Sequence, residues 1–467
     1  MFKKRVILIL IILSSVAANA GNKIKFYFNH PVDNSVSTME KAVYLNSCTA
    51  DTMIAYINRA HYTIDVAVYD FSYGSYANIA GAINSAYGRG VKVRWIYDGS
   101  STNSGLSGLN SAINKLASPT GSSYSIMHNK FMIIDAHSPV PADAVVWTGS
   151  TNWSYSQMNT DYNNVVIIQD SALAHAYTDE FNMMWGSTGL IPNSAVSKFG
   201  PDKTDLGRHI FNVDGYKIEL YFSPSDGTNT QIQNSISSAS TDLYFGVYTF
   251  TDNSDASAIM SKYSSGVYVS GIIDNFSNSY TPYSTFTSGL GSHFISYSGT
   301  GIYHNKYLIV DPSNRCSDPL VLTGSHNWSL TANSKNDENT LIIHSDIAAN
   351  VYYQSFKADF TGMGGSLSPF TVCPLEVYST DKAKENLLIY PNPANGKVNF
   401  KYELSTPQNV CIDIYNTVGQ KITSLINNEF QQAGNHLLDY TFNNNGIYFV
   451  NLTTGNAHYT KKVVIQN

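Results

Sequence analysis

One long pattern occurs twice in this chain, and it constrains the fold more than any other feature. Lys23-Ile24-Lys25-Phe26-Tyr27-Phe28 is matched by Lys217-Ile218-Glu219-Leu220-Tyr221-Phe222. Val91 to Asp98 is matched by Val267 to Asp274. His128-Asn129-Lys130 returns as His304-Asn305-Lys306, and Thr148 to Ser154 returns as Thr323 to Ser329. The order is kept while the separation drifts from 194 to 175 residues. A period this long means a duplicated domain, not a solenoid. With 467 residues the chain also exceeds one ordinary core.

Each half alternates apolar strands with helical stretches, which predicts an α/β sheet covered on both faces. In the first half, 64–69, 91–97, 131–134, 145–148 and 165–168 read as strands. The stretches 51–60, 77–87, 106–116 and 172–185 read as helices. The expected organisation is a signal peptide over 1–20, a first lobe over 21–190, a connector over 191–215 and a second lobe over 216–362. A Gly/Ser/Pro-rich and then charged linker follows over 363–385. Residues 386–467 show β alternation with no helix signal, as in a small β-sandwich. The predicted fold class is therefore α/β, two pseudo-symmetric α/β/α sandwich lobes plus a small C-terminal β-sandwich.

Each half carries His-x-Lys with an Asp five residues after the Lys: His128, Lys130, Asp135, and His304, Lys306, Asp311. Chance would supply roughly 0.03 such patterns in a chain of this composition. Each is followed by Gly-Ser-x-Asn: Gly149, Ser150, Asn152, and Gly324, Ser325, Asn327. This pattern resembles the phospholipase D superfamily, the double HKD phosphodiesterases, over residues 24–362. The resemblance implies that one His becomes phosphorylated. The other His protonates the leaving alcohol and then activates water.

The chemistry of the residues agrees. Side chains at i and i+2 of a strand share a face, so each His projects with its Lys. Imidazole serves as nucleophile or acid near neutral pH. Two lysines can neutralise nonbridging oxygens, and Ser150, Asn152, Ser325 and Asn327 add neutral donors. No metal or organic cofactor is implied. Asp135 and Asp311 sit past the apolar run at odd spacing. They complete the candidate catalytic set in the motif but are expected to support the fold behind it. Thirteen residues after Ser325 stands Glu338; thirteen after Ser150 stands Asn163. The family often has an acid at that place to orient the His, and Glu338 and Asn163 are counted among the expected substrate-binding residues with Ser150, Asn152, Ser325 and Asn327. The expectation is that Glu338 pairs with His304 as the acid/base, and that His128, beside Asn163, is the nucleophile.

Other features narrow the setting. Lys3, Lys4, Arg5, the apolar run 6–13 and Ala18-Asn19-Ala20 read as a signal peptide. Losing its three positive charges takes the formal charge from −6 to −9. The last 82 residues hold five Lys and four acids, which leaves −10 on residues 21–385. That is poor for a polyanion unless the groove is locally basic. The four Cys have no zinc spacing, and Cys316 with Cys373 is one candidate disulfide. Trp153 and Trp328 are expected in the core. His326 is a candidate pocket residue, while His30, His137, His209 and His293 have no partner legible in the sequence. Aromatic loops at 69–76 and 276–283 follow strands near where the site should open.

The tail has its own resemblance. Tyr390-Pro391-Asn392-Pro393, Tyr415 to Gln420, Gly446-Ile447-Tyr448 and Lys461 to Ile465 are similar to the C-terminal sorting domain of type IX secretion cargo. That implies the type IX machinery as partner and export to the cell surface or medium. Three functions compete: a phospholipase D-like hydrolase of phospholipids, an HKD endonuclease acting on nucleic acid, and an inactive binding module. The first is favoured on charge, the third disfavoured because both motifs are intact. A monomer is expected, since duplication supplies both half-sites.

Overall fold

The computed structural model describes residues 23–72, 78–121, 123–372, 387–404, 406–417, 420–454 and 457–466. The signal peptide, most of the linker, Cys373, residues 73–76 of the first aromatic loop and Ala77 at the start of the expected helix lie outside them. Contacts divide the chain into two compact units, one up to residue 373 and one from 374.

The first unit holds two eight-stranded sheets. One contains β1 (Ile24–Phe28), β2 (Val43–Tyr44), β3 (Thr63–Val68), β4 (Lys92–Tyr97), β5 (Asn114–Ala117), β6 (Lys130–Ile134), β7 (Val145–Gly149) and β8 (Asn164–Ile168). Its order is β2-β1-β8-β7-β6-β3-β4-β5. The other contains β9 (Ile210–Val213), β10 (Tyr216–Ser223), β11 (Asp242–Val247), β12 (Tyr268–Asp274), β13 (Phe294–Tyr297), β14 (Lys306–Val310), β15 (Leu320–Gly324) and β16 (Glu338–His344). Its order is β13-β12-β11-β14-β15-β16-β10-β9; read from the other edge, seven strands repeat the first sheet, while the edge strands differ, β2 running parallel to β1 and β9 antiparallel to β10. The duplication seen in the sequence is therefore a duplication of topology.

Strand faces explain the layers. On β6, Phe131 and Ile133 join one core cluster while Met132 and Ile134 join another. A strand buried on both faces reads as a continuous apolar run, which is what the sequence shows there. The outer clusters are separate for each lobe, but the inner one is shared. It is built around α4 (Ser171–Trp185) and α9 (Asp346–Gly362), which lie between the sheets. Phe26 meets Tyr352 edge-on at 5.5 Å, and Tyr177 meets Phe222 at 5.2 Å, both across the lobe boundary. Trp153 and Trp328 are fully buried in the outer clusters.

The helix expected over 106–116 is absent. A 3-10 turn at Ser104–Gly108 leads instead to the edge strand β5. The Leu106, Leu109, Ile113 spacing mimics a helix, but Gly105, Gly108 and Asn110 interrupt it. Gly105 also lies against Phe71, where a Cβ would meet the Phe71 carbonyl at 2.8 Å. The equivalent stretch of the second lobe does form a helix, α7 (Thr281–Gly289). The second unit is a sandwich of a three-stranded and a four-stranded sheet around Val398, Phe400, Ile412, Ile414 and Val450. Cys48, Cys316 and Cys411 are free thiols; the expected partner Cys373 is outside the described residues.

The connector is locked to both lobes by one buried cation. Lys203 Nζ donates to Glu180 Oε1 at 2.6 Å on α4 and to the Ser223 carbonyl at 2.8 Å on β10. It also lies 3.0 Å from Asp337 Oδ1, beside β16. Burial works against charge on Lys203, but Asp337 and Glu180 outweigh it, and the net direction is up. Burial pushes Glu180 up to about 7 despite its lysine. Removing one member of such a group strands buried charge. Lys203→Met should destabilise the unit by about 3–5 kcal/mol in denaturant titration. Adding Glu180→Gln should recover part of that loss.

Candidate active site

The ends of β6 and β14 point at each other across the lobe boundary. Two short parallel bridges join the lobes there, Met127 with Asp337 and Tyr162 with Tyr303. His128 N–H donates to the Asp337 carbonyl at 2.9 Å, and His304 N–H donates to the Tyr162 carbonyl at 3.0 Å. Each histidine is thus hung by its backbone on the residue just before the other lobe's position 338 or 163.

The side chains follow the same exchange. His128 Nδ1 lies 2.9 and 2.8 Å from the two carboxylate oxygens of Glu338. His304 Nδ1 lies 2.9 Å from Asn163 Oδ1. The expected pairing of Glu338 with His304 is therefore wrong. The reason is topological: β8 and β16 each end at the boundary, so residue 338 faces the opposite lobe's motif. A carboxylate only accepts, so His128 Nδ1 donates and Nε2 carries the free lone pair. Asn163 Nδ2 donates to the Gln157 carbonyl at 2.9 Å, which turns Asn163 Oδ1 toward His304 and fixes the same tautomer there.

The serines are behind the histidines. Ser150 Oγ donates to Asn163 Oδ1 at 2.8 Å, and Ser325 Oγ donates to Glu338 Oε2 at 2.7 Å. Both hydroxyls are spent on orienting Asn163 and Glu338, so their expected role as substrate donors is corrected to positioning. Glu338 and Asn163, expected among substrate-binding residues, likewise act on the histidine rings. Asn336 Nδ2 adds a third donor to Glu338, at 3.0 Å. Asn152 and Asn327 keep carbonyl oxygens without a protein partner. Gly149 and Gly324 have φ of 141° and 151°, and a Cβ would strike the Asn164 or Asn339 carbonyl. Only glycine lets the motif strand pass that close.

Asp135 and Asp311 are not at the reacting groups. Asp135 accepts from the backbone of His61, Tyr62 and Thr63 at 2.7–2.8 Å. Asp311 accepts from the backbone of Ser240, Thr241 and Asp242 at 2.8–3.1 Å. They anchor the far end of each motif strand.

Each lysine donates to the carbonyl of its own histidine at 2.6 Å. Burial lowers Lys130 to about 7, with Glu338, Asp70 and Asp98 pulling upward. Burial holds Lys306 well below its ordinary range too, and repulsion from Lys130 adds to it. Burial drives His128 down to about 4 against the pull of Glu338. His304 is held well below its ordinary range by burial and then by the two lysines. Burial alone would raise Glu338, but His128 and Lys130 outweigh it and the carboxyl is lowered. Burial thus works against charge on both rings, while His128 and Lys130 favour the carboxylate form of Glu338.

Two tyrosines are in contact with these groups: Tyr69, the first residue of the aromatic loop expected near the site, and Tyr248, which the sequence reading did not single out. Tyr69 meets His128 edge-on at 5.0 Å and lies 5.3 Å from Lys130 Nζ. Tyr248 repeats this with His304 at 5.1 Å and Lys306 at 5.3 Å. The signal was the repeated Val-Tyr-x-Phe at 68–71 and 247–250. Of the other histidines, His326 is buried at 2 % exposure and does not rim the mouth. His30 stacks on Tyr162 at 3.4 Å, His137 on His175 at 4.6 Å and His209 on Tyr221 at 4.8 Å. His293 Nδ1 lies 3.1 Å from the Val269 carbonyl.

Residues 53–185 and 232–360 match the family described as "Cardiolipin synthase, PLD-like domain", together more than half of the chain. The chain belongs to the phospholipase D superfamily. The two matched segments are the two lobes. The chain is 32% identical over 159 residues to mitochondrial cardiolipin hydrolase of Drosophila melanogaster, covering 31% of this chain and 61% of that protein. It is 26% identical to a phospholipase D of Rickettsia bellii, covering 36% of this chain and 81% of the relative. The chain spans 56–62% of the length of the cardiolipin hydrolases it matches. Phosphatidylserine synthase of Haemophilus influenzae shares the fold, with a TM-score of 0.51 and 16% identity over 77% of this chain and 90% of that one. Residues 388–466 match the "Secretion system C-terminal sorting domain". That domain directs type IX export to the cell surface or extracellular space. Among the described residues no helix is long and apolar enough to cross a membrane.

The geometry sets two expectations. Glu338→Gln should lower kcat by about 10²-fold or more, because the ring loses its carboxylate partner. Lys130 is charged below about pH 7 and neutral above it. The kcat/KM profile should therefore fall as pH rises through about 7, which a pH series on a soluble phosphodiester will read.

Proposed function

We propose that this protein hydrolyses phospholipids in the manner of phospholipase D, giving phosphatidic acid and the head-group alcohol. His128 Nε2 attacks phosphorus while Lys130, Lys306, Asn152 and Asn327 hold the nonbridging oxygens. Positive charge grows on the ring as the P–N bond forms, and the Glu338 carboxylate at Nδ1 stabilises it. The P–O bond to the head group breaks, and protonated His304 gives its Nε2 proton to the leaving oxygen. Its neutral partner Asn163 keeps His304 a ready acid, and the arriving phosphodiester anion favours the protonated form it starts from. Neutral His304 then takes a proton from water, which attacks phosphorus and breaks the P–N bond. His128 thus keeps the nucleophilic role, for the opposite reason to the one the sequence suggested.

One observation carries phospholipid over nucleic acid: among the described residues the two lysines are attended, apart from each other, by carboxylates. Lys130 feels Glu338, Asp70 and Asp98, and Lys306 feels Lys130, Glu338 and Asp274. Register places Asp70 opposite His128, since Val68 pairs with Lys130 and Tyr69 N–H donates to the Asn129 carbonyl at 2.9 Å. The second lobe has Thr249 at that place. The arginines are engaged elsewhere: Arg94 with Asp65, Arg208 with Asp179, Arg315 with Asp346, Arg89 with the Asn58 and Ala60 carbonyls, Arg59 over Tyr56. A polyanion needs a row of cations along its backbone. The names of the relatives, phospholipase D and cardiolipin hydrolase, support the same substrate class.

The test uses His304→Ala with bis(p-nitrophenyl) phosphate, whose leaving group needs no acid. A burst of one equivalent of nitrophenol and a phosphoryl adduct on His128 is the expected result. An adduct on His304 in the reciprocal His128→Ala variant, with none in His304→Ala, would reverse the roles. In wild type, head-group release from phosphatidylcholine or phosphatidylethanolamine should persist in EDTA. Cleavage of DNA or RNA without any lipid turnover would replace the substrate reading by the nuclease.

A further inference from the structure

The loops bordering His304 from its own lobe are poor in charge and expose apolar side chains. Residues 275–305 contain no Asp, Glu, Lys or Arg, and neither do residues 319–334. The loop after β12 and the start of α7 present Phe276 and Tyr280, 56 and 45 % exposed. The turn after β15 presents Leu330, 69 % exposed. These loops are tied together at one end of the lobe. Phe250 N–H donates to Ser277 Oγ at 3.1 Å, and Ser277 Oγ donates to the Tyr248 carbonyl at 3.2 Å. Thr251 and Asp252 N–H both donate to the Trp328 carbonyl, at 2.8 and 3.0 Å. Phe276 stacks on Tyr248 at 5.3 Å, and Tyr248 covers His304.

We propose that Phe276, Tyr280 and Leu330 form a docking rim that seats the second lobe on the head-group zone of a zwitterionic phospholipid surface. The proposal rests on the phospholipid reading above and adds the surface from which substrate is drawn. His304 and Lys306 are buried, so a phosphodiester must be brought in through the mouth that these side chains border. Aromatic side chains settle at the depth of lipid head groups, and an exposed Leu gains by entering the acyl boundary. Anionic membranes are gathered by clustered Lys and Arg. The rim has none, and residues 21–385 carry a formal charge of −10. A zwitterionic surface is the one that such a rim meets without electrostatic opposition.

Binding and turnover are read separately on the full chain. Sedimentation with phosphatidylcholine vesicles uses His128→Asn, so that no lipid is consumed. Binding should resist salt and should not rise when anionic lipid is added. The double variant Tyr280→Ser/Leu330→Ser should bind about tenfold more weakly. In the otherwise wild-type enzyme the same double variant should lose a similar factor on vesicles. Its hydrolysis of bis(p-nitrophenyl) phosphate should stay within about twofold of wild type. Unchanged vesicle binding in the double variant would overturn the docking rim while leaving the phospholipid reading intact. So would binding that requires anionic lipid and disappears with salt. Loss of oligonucleotide binding in the variant, without vesicle binding by the parent, would overturn it in favour of base stacking. Soluble diester hydrolysis by wild type without turnover of any lipid would instead overturn the phospholipid reading, and vesicle sedimentation would still judge the rim.

Discussion

The exchange of histidine partners between lobes is the interaction on which the rest depends. Neither lobe alone has a complete half-site. His128 needs Glu338 for its ring and Asp337 for its backbone, and His304 needs Asn163 and Tyr162 in the same places. Buried polar side chains extend the exchange. Asn164 donates to Asn305 Oδ1 at 2.9 Å, and Asn339 donates to Thr148 and Tyr177 at 2.8 and 3.1 Å. An interface crossed by this many buried hydrogen bonds fixes one register between the lobes. The shared core around α4 and α9 supplies the apolar area that holds it closed.

The same exchange creates chemical asymmetry from a symmetric scaffold. Two lobes of one topology differ at a single decisive pair, Glu338 against Asn163. One ring is backed by charge and the other by a neutral amide. Two groups pushed toward different protonation behaviour are what a nucleophile and an acid require. Charge elsewhere in the site is kept spare. The lysines are matched by nearby carboxylates, and the connector's Lys203 is neutralised inside the protein by Glu180 and Asp337. Asp337 thereby links the connector to the backbone that carries His128.

Much of this was legible in the sequence, and the gaps have physical reasons. The paired His-x-Lys and Gly-Ser-x-Asn motifs give the reacting groups because strand periodicity alone puts each His beside its Lys. The strand at 131–134 was found because a strand buried on both faces is continuously apolar. The false helix at 106–116 came from apolar spacing that fits two periods, and glycine decided between them. The pairing of Glu338 was misread because the sequence shows its neighbour Ser325, which it does contact, but not the lobe it faces. That contact spans 210 residues and is set by how two sheets meet. Tyr248 was hidden for a simpler reason. A lone Tyr at a strand end looks like surface until its repeat, Tyr69, is compared with it.

The central claim is that the partner of each ring sets its role, and moving the partner tests this most directly. The variant Asn163→Glu/Asp161→Asn/Glu338→Asn gives the first lobe the carboxylate together with the amide that Asn336 now supplies to Glu338. Rapid quench with an activated phosphodiester then maps the labelled histidine. The account predicts that the phosphoryl group moves from His128 to His304. A label that stays on His128 at an undiminished rate would contradict it.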